Sequence, residues 1–420
     1  MGVSHISGGP EKWSRRGILA VLGAVPAAVL TGCGSPASAS DALSATPAAS
    51  TDSTDSTDST TKAPTLTLSP ADGSQNADFT SPVQVTTSFG ALSRVSVTAD
   101  DGSTLAGSFD DSRTTWTSAR NPYSGTTYTV TATATATATA QGAIEETLSF
   151  TTRTAADTFV GRFTPEAGST CGVGMPVSVN FTHAVTDRAA VEKAITVTAD
   201  PQVEVVGHWF SDTRLDFRPE EYWAAGTKIT LTLRLRDVEG AAGVYGTQSK
   251  DVTFHIGRAQ ISTVDLATRT MTVRRDGRTL ATYPVSGGDA EHTTWSGIMV
   301  ISERFKKTRM ESSTVGLGDE YDIDDVPHAQ RLTTSGTFIH GNYWASSSIF
   351  GAGNTTHGCI GLRDAKGGGD TSEPGYAFYK SSMLGDVVAV KNSGEDTVDP
   401  ANGLNGWNMS WSDWQAGSAF

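Results

Sequence analysis

The sequence predicts a mostly β protein: two immunoglobulin-like β-sandwich domains, then a β-rich domain that carries the chemistry, then a short tryptophan-rich extension. Two observations lead to this prediction. Segments of alternating polar and apolar residues, such as residues 127–140 (TYTVTATATATATA), are separated by turn sequences rich in Gly, Asp and Asn. Charged residues make up only 18% of the chain, and its 44 glycines and many Thr, Ser and Ala residues favour short strands and turns over long helices.

Length, charge and cysteine content exclude several classes of protein. A chain of 420 residues suggests two to four domains at roughly 100–200 residues each. The formal net charge is −14 and no cluster of Lys and Arg is dense enough to follow a phosphate backbone, so we expect no nucleic-acid partner. Three cysteines are too few for a disulfide scaffold or a zinc ribbon.

Residues 1–33 are typical of a lipoprotein signal peptide. A basic segment (residues 12–16) precedes an apolar run (residues 18–30) that is too short to span a bilayer of about 30 Å. The tetrapeptide Leu-Thr-Gly-Cys that ends at Cys33 resembles a bacterial lipobox, in which Cys33 is lipidated and becomes the mature N-terminus. The basic segment resembles a twin-arginine export signal loosely, so the export route stays open. The alternative is a plain secretory peptide with an incidental cysteine.

Residues 34–63 form a linker rich in Ser, Thr, Ala and Asp, with the repeat TDSTDSTDST. Such a segment has almost no apolar surface to bury, so we expect it to be disordered. Together with the lipid on Cys33, it predicts a protein that is exported and anchored to the outer face of the cytoplasmic membrane.

The two predicted sandwiches span residues 64–154 and 155–257. Short strand-like segments and turns recur through both at the spacing of β-sandwiches, and neither contains a cluster of reactive side chains. Cys171 has no Cys or His nearby in the sequence, and we interpret it as a small buried apolar residue.

Residues 258–394 carry nearly all of the chemistry, and residues 395–420 form the extension. Trp407, Trp411 and Trp414 would share one face if the extension were helical. An exposed face of three indoles would be a large apolar patch, so we expect it to pack on the protein; the alternative is stacking on a glycan.

One cysteine and one histidine stand out in the third domain. Apolar residues before His340 predict a strand that delivers its imidazole to a rim, and the long loop after Gly341 can fold back like a hairpin to bring Cys359 beside it. A thiol attacks only as the thiolate, which a neighbouring imidazole favours either by lowering the thiol pKa or by taking the proton at attack. The backbone N–H groups of Gly358 and Cys359 could form an oxyanion hole.

Spacing alone leaves three interpretations of this region. The first is a Cys/His nucleophile pair. The second is a zinc site formed by His340, His357 and Cys359, with His328 as a further ligand, although the spacings match no usual finger. The third is a structural cysteine in a glycine-rich turn.

The string Thr-His-Gly-Cys-Ile-Gly-Leu-Arg (residues 356–363), after the Ile-His-Gly of residues 339–341, resembles the signature of the L,D-transpeptidase catalytic domain. Residues 309–321 resemble the flap that covers the substrate in the mycobacterial enzymes, and the two sandwiches and the Trp-rich tail resemble their flanking domains. The resemblance favours the nucleophile interpretation and implies no cofactor and no metal.

The resemblance also implies roles for individual residues. Cys359 corresponds to the nucleophile and His340 to the general base and acid, while the carbonyl of Gly341 orients the imidazole and His357 shapes the turn. The implied substrate-binding residues are Met310, Tyr321, Ser335, Gly336, Thr356 and Gly361, with the Tyr321 hydroxyl near the oxyanion. Gly361 departs from the Asn or Arg common in the family, and Arg363 or Asn354 are the residues we expect to compensate.

The implied reaction is the formation of 3→3 cross-links in peptidoglycan. The thiol takes the acyl group of a tetrapeptide stem and passes it to the side-chain amine of a diamino acid in a second stem. Carbapenem-type β-lactams are expected to acylate the same thiol. An L,D-carboxypeptidase, in which water takes the acyl group, and a non-catalytic wall-binding lipoprotein are the alternatives.

Overall fold

A computed structural model describes residues 63–136, 142–316 and 318–420. The predicted signal peptide, the lipidation site Cys33 and all but residue 63 of the predicted linker lie outside the described residues. In the described part of the chain, no helix combines the length and apolarity that a membrane crossing requires.

The first β region consists of two packed sheets. One sheet has the order β1-β2-β5-β4 and the other β3-β6-β7. The strands are β1 (Thr65–Ser69), β2 (Gln84–Ser88), β3 (Gly90–Ala99), β4 (Gly107–Phe109), β5 (Thr115–Ser118), β6 (Thr127–Ala136) and β7 (Ala143–Thr151). Both sheets contribute to one apolar core, which includes Trp116, Tyr128 and Phe150. In β6 the alanines point into this core and the threonines point away from it, as the alternation predicts.

The second β region has two larger sheets, β10-β18-β15-β12 and β13-β14-β11-β9, and a small third sheet, β16-β17-β8. Its elements are β8 (Asp157–Phe159), β9 (Gly161–Thr164), β10 (Thr170–Cys171), β11 (Val177–Phe181), α1 (Arg188–Lys193), β12 (Ile195–Asp200), β13 (Val206–Ser211), β14 (Arg214–Arg218), β15 (Lys228–Arg234), β16 (Glu239–Ala241), β17 (Val244–Gly246) and β18 (Ser249–Ile256). Cys171 is a buried, free cysteine of this region, in agreement with the structural role expected for it.

The third region is built on a nine-stranded mixed sheet with the order β22-β27-β19-β20-β21-β26-β25-β24-β23. Its elements are β19 (Gln260–Asp265), β20 (Thr270–Arg275), β21 (Arg278–Ser286), β22 (Gly297–Val300), β23 (Glu303–Glu311), β24 (Asp322–Arg331), β25 (Phe338–Asn342), β26 (Ile360–Arg363), α2 (Pro374–Ser381) and β27 (Val387–Lys391). Strands β19 and β27 pair in parallel, as do β25 and β26.

The tryptophan-rich extension packs on the second β region rather than standing free. It contains a single turn of 3₁₀ helix (Gly406–Asn408) and the short helix α3 (Trp411–Gln415), not one continuous helix. Ser410 caps α3 by accepting a hydrogen bond from the backbone N–H of Asp413, which separates the two pieces. Trp414 is 1% exposed and its indole donates to the carbonyl of Val206 at 2.9 Å. Packing on the protein is therefore confirmed, and the single helical face is wrong.

Candidate active site

Strand register places the two key side chains on the same face of the sheet. Cys359 directly precedes β26, and His340 of β25 lies opposite Gly361 in the parallel pair. Since side chains alternate along a strand, residues 359 and 361 of one strand face the same side as Phe338 and His340 of the other. The expected hairpin is wrong: the two strands pair in parallel, and the connection between them is long enough to allow a crossover.

Cys359 and His340 line one cavity of about 290 Å³ between the flap and this sheet face. The structure surrounds it with Met310, Tyr321, Ile323, His340, Asn342, Trp344, Thr355, Thr356, His357 and Cys359. Six of these residues are predicted from the sequence as catalytic or substrate-binding: Met310, Tyr321, His340, Thr356, His357 and Cys359. Trp344, which is 44% exposed, stacks nearly parallel to the His340 ring with 5.5 Å between centroids.

The imidazole of His340 is fixed in one tautomer. Its Nδ1 lies 2.9 Å from the carbonyl oxygen of Gly341. A carbonyl oxygen can only accept, so the proton sits on Nδ1 and the lone pair of Nε2 stays available as a base. Burial lowers the pKa of His340, an effect that the Gly341 carbonyl and the Asp364 carboxylate partly offset. The imidazole is therefore neutral at neutral pH.

The thiol of Cys359 is also neutral at rest. Burial raises its pKa to about 11, against smaller lowering effects of the Phe338 backbone and Arg331. The side chain is 8% exposed, and its Sγ lies 3.7 Å from the carbonyl oxygen of Gly336. At rest the thiol donates to that carbonyl oxygen, and its raised pKa means that an imidazole could favour the thiolate only by taking the proton at the moment of attack.

The turn that carries the thiol depends on a glycine. Gly358 has φ +94°, in the region that L side chains rarely adopt. The hydroxyl of Thr356 donates to the carbonyl of Cys359 at 2.6 Å and closes the turn around it. Thr356 thus has a structural role in the turn besides its place on the cavity wall.

Tyr321 brings a neutral hydroxyl to the cavity from the flap. Burial raises its pKa to about 12, with smaller contributions from Cys359 and Glu320, so the phenol is protonated at neutral pH and can donate a hydrogen bond. The Ser312 hydroxyl anchors this end of the flap, since it accepts from the backbone N–H of Tyr321 at 3.1 Å.

Gly341 has a steric reason to be glycine. A Cβ at this position would lie 2.3 Å from Oδ2 of Asp364. That carboxylate occupies the space because its Oδ2 pairs with Nδ1 of the buried His328 at 2.6 Å. His328 is thereby engaged away from the thiol. His340, His357 and Cys359 line one cavity, but among the described residues the ligand atoms of these predicted zinc ligands do not form a metal-binding group. Among the described residues, the group with metal-binding geometry is a different one: His292, Glu320 and His357.

Other predicted positions lie elsewhere or face other partners. Gly336 lines a second, more polar cavity that shares Met310 and Tyr321 with the first, and its carbonyl oxygen is the partner of the Cys359 thiol. Ser335 bonds through its backbone N–H and hydroxyl to the side chain of Asn402. The ring of His357 packs 5.1 Å from that of Tyr321, so its side chain contacts the flap rather than the Cys359 turn.

The two residues expected to replace the substrate contact missing at Gly361 are engaged with other partners. Arg363 forms an ion pair with Glu373 at 2.9 Å, and the Asn354 amide oxygen accepts from the N–H of Gly287 at 3.0 Å. Neither lines the catalytic cavity.

Asn342, which is not predicted from the sequence, occupies the space beside Gly361 instead. Its amide nitrogen lies 3.4 Å from the position that a Cβ at residue 361 would take, and its oxygen accepts from the N–H of Ala345. The signal that could have found Asn342 is strand alternation, since it lies two residues after His340 on the same face.

Comparisons with known proteins agree with this geometry. A family model described as the L,D-transpeptidase catalytic domain matches residues 259–367. L,D-transpeptidase 2 of Mycobacterium tuberculosis (strain CDC 1551 / Oshkosh) is 32% identical over 362 residues, which is 85% of each chain. The chain belongs to the L,D-transpeptidase family. L,D-transpeptidase 5 of Mycobacterium tuberculosis (strain ATCC 25618 / H37Rv) is 30% identical over 85% of this chain and 77% of the relative.

The predicted family resemblance and the mostly β fold are thus confirmed for this L,D-transpeptidase. A model described as a bacterial Ig domain matches residues 74–239, so an Ig-like part precedes the catalytic domain, while the number of Ig-like domains and their boundaries stay predictions. A solved structure of an L,D-transpeptidase in complex with imipenem is 27% identical, with a TM-score of 0.46 over 55% of this chain and 97% of that one.

Proposed function

We propose that this L,D-transpeptidase forms 3→3 cross-links in peptidoglycan, with Cys359 as nucleophile and His340 as general base and acid. The observation that carries the proposal is the placement of a buried thiol and a tautomerically fixed imidazole on one sheet face, in one cavity under the flap.

Acylation begins with a donor stem in the cavity. The Cys359 proton passes to Nε2 of His340 as Sγ attacks the carbonyl carbon between the diamino acid and the terminal D-Ala. The resulting oxyanion accepts hydrogen bonds from backbone N–H groups of the Gly358 turn and from the Tyr321 hydroxyl. The C–N bond then breaks, His340 returns the proton to the leaving amine, and D-Ala departs from a thioester.

Transfer reverses these roles. The side-chain amine of a second stem attacks the thioester carbonyl and gives a proton to neutral His340, and the C–S bond breaks. The departing sulfur takes the proton back from His340, which restores the resting pair. Water competes with the amine, and the cover provided by Met310 and Tyr321 over the cavity supports the amine as the preferred acceptor.

Product analysis tests the reaction. The purified protein is incubated with disaccharide-tetrapeptide, and the products are identified by mass spectrometry. Cross-linked dimers with loss of D-Ala are the expected products. Tripeptide monomers alone would instead assign an L,D-carboxypeptidase activity, and unchanged substrate would indicate a non-catalytic wall-binding protein.

Acylation by a carbapenem tests the nucleophile. We propose that ring opening of the β-lactam by Sγ leaves a covalent adduct on Cys359. Cys359→Ala should form no adduct, whereas Cys171→Ala, which removes the other buried cysteine of the described residues, should react like the parent. An adduct on the Cys359→Ala protein would contradict the assignment.

Export and lipid anchoring form a further part of this proposal. A lipid on Cys33, the linker and the β-rich regions would hold the catalytic cavity away from the membrane and within the wall. Incorporation of labelled palmitate into the parent, and its loss in Cys33→Ala, is the expected result.

A further inference from the structure

A second cluster of reactive side chains lies at the rim of the catalytic cavity. His292, Glu320 and His357 each offer one ligand atom, and the three atoms lie within 4.8 Å of one another. We propose that these residues bind one divalent transition-metal ion, with zinc as the best-fitting metal, and that the bound ion restrains the flap. The site shares His357 with the wall of the catalytic cavity, but its metal binding can be measured without catalytic activity.

The spacing of the ligand atoms fits a tetrahedral ion. Oε2 of Glu320 lies 3.2 Å from Nε2 of His292 and 3.4 Å from Nε2 of His357. Zinc bonds to nitrogen and oxygen of about 2.0–2.2 Å place tetrahedral ligands about 3.3–3.5 Å apart. A single ion can therefore reach the shared carboxylate oxygen and both imidazoles with small side-chain adjustments.

A carboxylate behind His292 fixes the tautomer that a metal requires. Oδ1 of Asp289 lies 3.2 Å from Nδ1 of His292 and accepts the backbone N–H of the same residue at 2.8 Å. When an ion lies between Nε2 and Glu320, the ring keeps its proton on Nδ1 beside Asp289 and binds the metal through the Nε2 lone pair. A metal-binding histidine commonly has such a carboxylate partner, which orients the ring and raises its basicity.

The ligand types select the class of metal. Two imidazoles and one carboxylate suit zinc and similar transition-metal ions, whereas magnesium and calcium prefer sets of oxygen ligands. Glu320 and His357 are exposed and His292 is half-buried, so an ion can enter and leave directly from solvent. Three protein ligands leave the fourth position of a tetrahedral ion for water.

The three ligands come from three separate segments. His292 lies in the loop between β21 and β22, Glu320 in the flap beside Tyr321, and His357 two residues before the thiol. A bound ion would tie the flap to the turn of Cys359. Because that thiol is only 8% exposed, a bulky reagent reaches it only when the covering side chains move, and the ion opposes this movement. Metal binding should therefore slow acylation of Cys359.

Binding is measured first in Cys359→Ser, which removes the thiol as a competing ligand. Titration with Zn²⁺ against a chromophoric chelator should give one ion per chain, and Co²⁺ should give a spectrum without a thiolate charge-transfer band. His292→Gln and Glu320→Gln in this background should lose the binding. Asp289→Asn, which removes only the carboxylate behind His292, should weaken it by about 10–100-fold. The matched controls are Asp319→Asn, beside Glu320, and His255→Gln, an exposed histidine of β18, and both should bind like their parent.

The effect on the flap is measured with the thiol in place. The rate of carbapenem acylation is compared with Zn²⁺ and with a chelator, in the parent and in His292→Gln. We expect Zn²⁺ to slow acylation of the parent, the chelator to reverse this effect, and His292→Gln to show no slowing. Equal slowing in both proteins would place the metal on the thiol and overturn the proposal. The proposal would also be overturned if the Cys359→Ser protein bound no zinc, since the cluster would then be an ion-paired group only. Unchanged zinc binding by the Glu320→Gln variant would overturn it as well.

Discussion

Replacement of His340 by Gln tests how the buried thiol becomes reactive. The change removes the base and keeps a polar side chain in the space beside Trp344. Since burial raises the pKa of Cys359 to about 11, the variant should react only through the small thiolate fraction that exists without a base. Acylation of the variant by a carbapenem should therefore rise about tenfold per pH unit through the neutral range.

The size of the effect follows from the thiol pKa. At a pH of about 8, a thiol with a pKa of about 11 is ionised in about one molecule in a thousand, whereas a thiol at its ordinary value of 9.0 is ionised in about one in ten. The burial of Cys359 thus lowers the thiolate population about a hundredfold, which corresponds to about 3 kcal/mol. A positioned base that takes the proton during attack removes this disadvantage, and general bases typically contribute about 10²–10⁴-fold.

The parent protein should show a different pH profile. Burial lowers the pKa of His340 from its ordinary value of 6.5, so the base is neutral at neutral pH and is protonated, with loss of activity, only as the pH falls through that lowered pKa. Above it, the acylation rate should form a plateau.

The assay is the acylation rate followed by mass spectrometry from about pH 5 to about pH 10. Cys171→Ala serves as the control. A His340→Gln variant that reacts as fast as the parent at neutral pH, or a parent thiol that titrates near its ordinary pKa, would refute this reasoning.

Three further predictions concern the cavity wall, the turn and the extension. Asn342→Ala should raise KM by up to about tenfold through loss of one hydrogen-bond donor, and Gly361→Asn in that background should restore it, as steady-state kinetics will show; no effect of the first change would exclude Asn342 as a substrate contact. Gly358→Ala should slow acylation of Cys359, because φ +94° at this position strains any L side chain by about 1–3 kcal/mol; a rate equal to that of the parent would contradict the need for glycine. Trp414→Ala should lower the free energy of unfolding by about 3–5 kcal/mol in denaturant titrations, since its 1% exposed indole fills the contact with the second β region; a loss below about 1 kcal/mol would contradict that packing.

The sequence predicts the parts of the site that follow from strand alternation and from the family signature. Phe338 and His340 alternate with Ile339, and the structure places Ile339 in the apolar core of the third region while His340 faces the cavity. The same alternation reaches Asn342. The direction of pairing was beyond the sequence, because the loop between Gly341 and Thr356 allows both a hairpin and a parallel crossover.

The sequence could not assign residues whose role depends on which of several possible partners they contact in the folded protein. Arg363 and Asn354 have suitable chemistry for a substrate contact, but an ion pair with Glu373 and a bond to the Gly287 N–H engage them elsewhere. The same limit applies to the rim cluster. His292 and Glu320 lie in loops whose conformations no periodic pattern determines, so only the folded structure brings them to His357.

Burial favours the uncharged form of both members of the proposed catalytic pair. It raises the pKa of the Cys359 thiol and lowers that of the His340 imidazole, so both changes favour the uncharged pair at rest. A thiolate–imidazolium pair would need the desolvated cavity to hold two charges before any substrate arrives. The neutral pair separates charge only while a carbonyl in the cavity accepts the electrons of sulfur, and there the Tyr321 hydroxyl and the amides of the Gly358 turn can stabilise the resulting oxyanion. In the proposed mechanism, the reactivity of the thiol is therefore tied to an occupied cavity, and a high thiol pKa is compatible with acyl transfer.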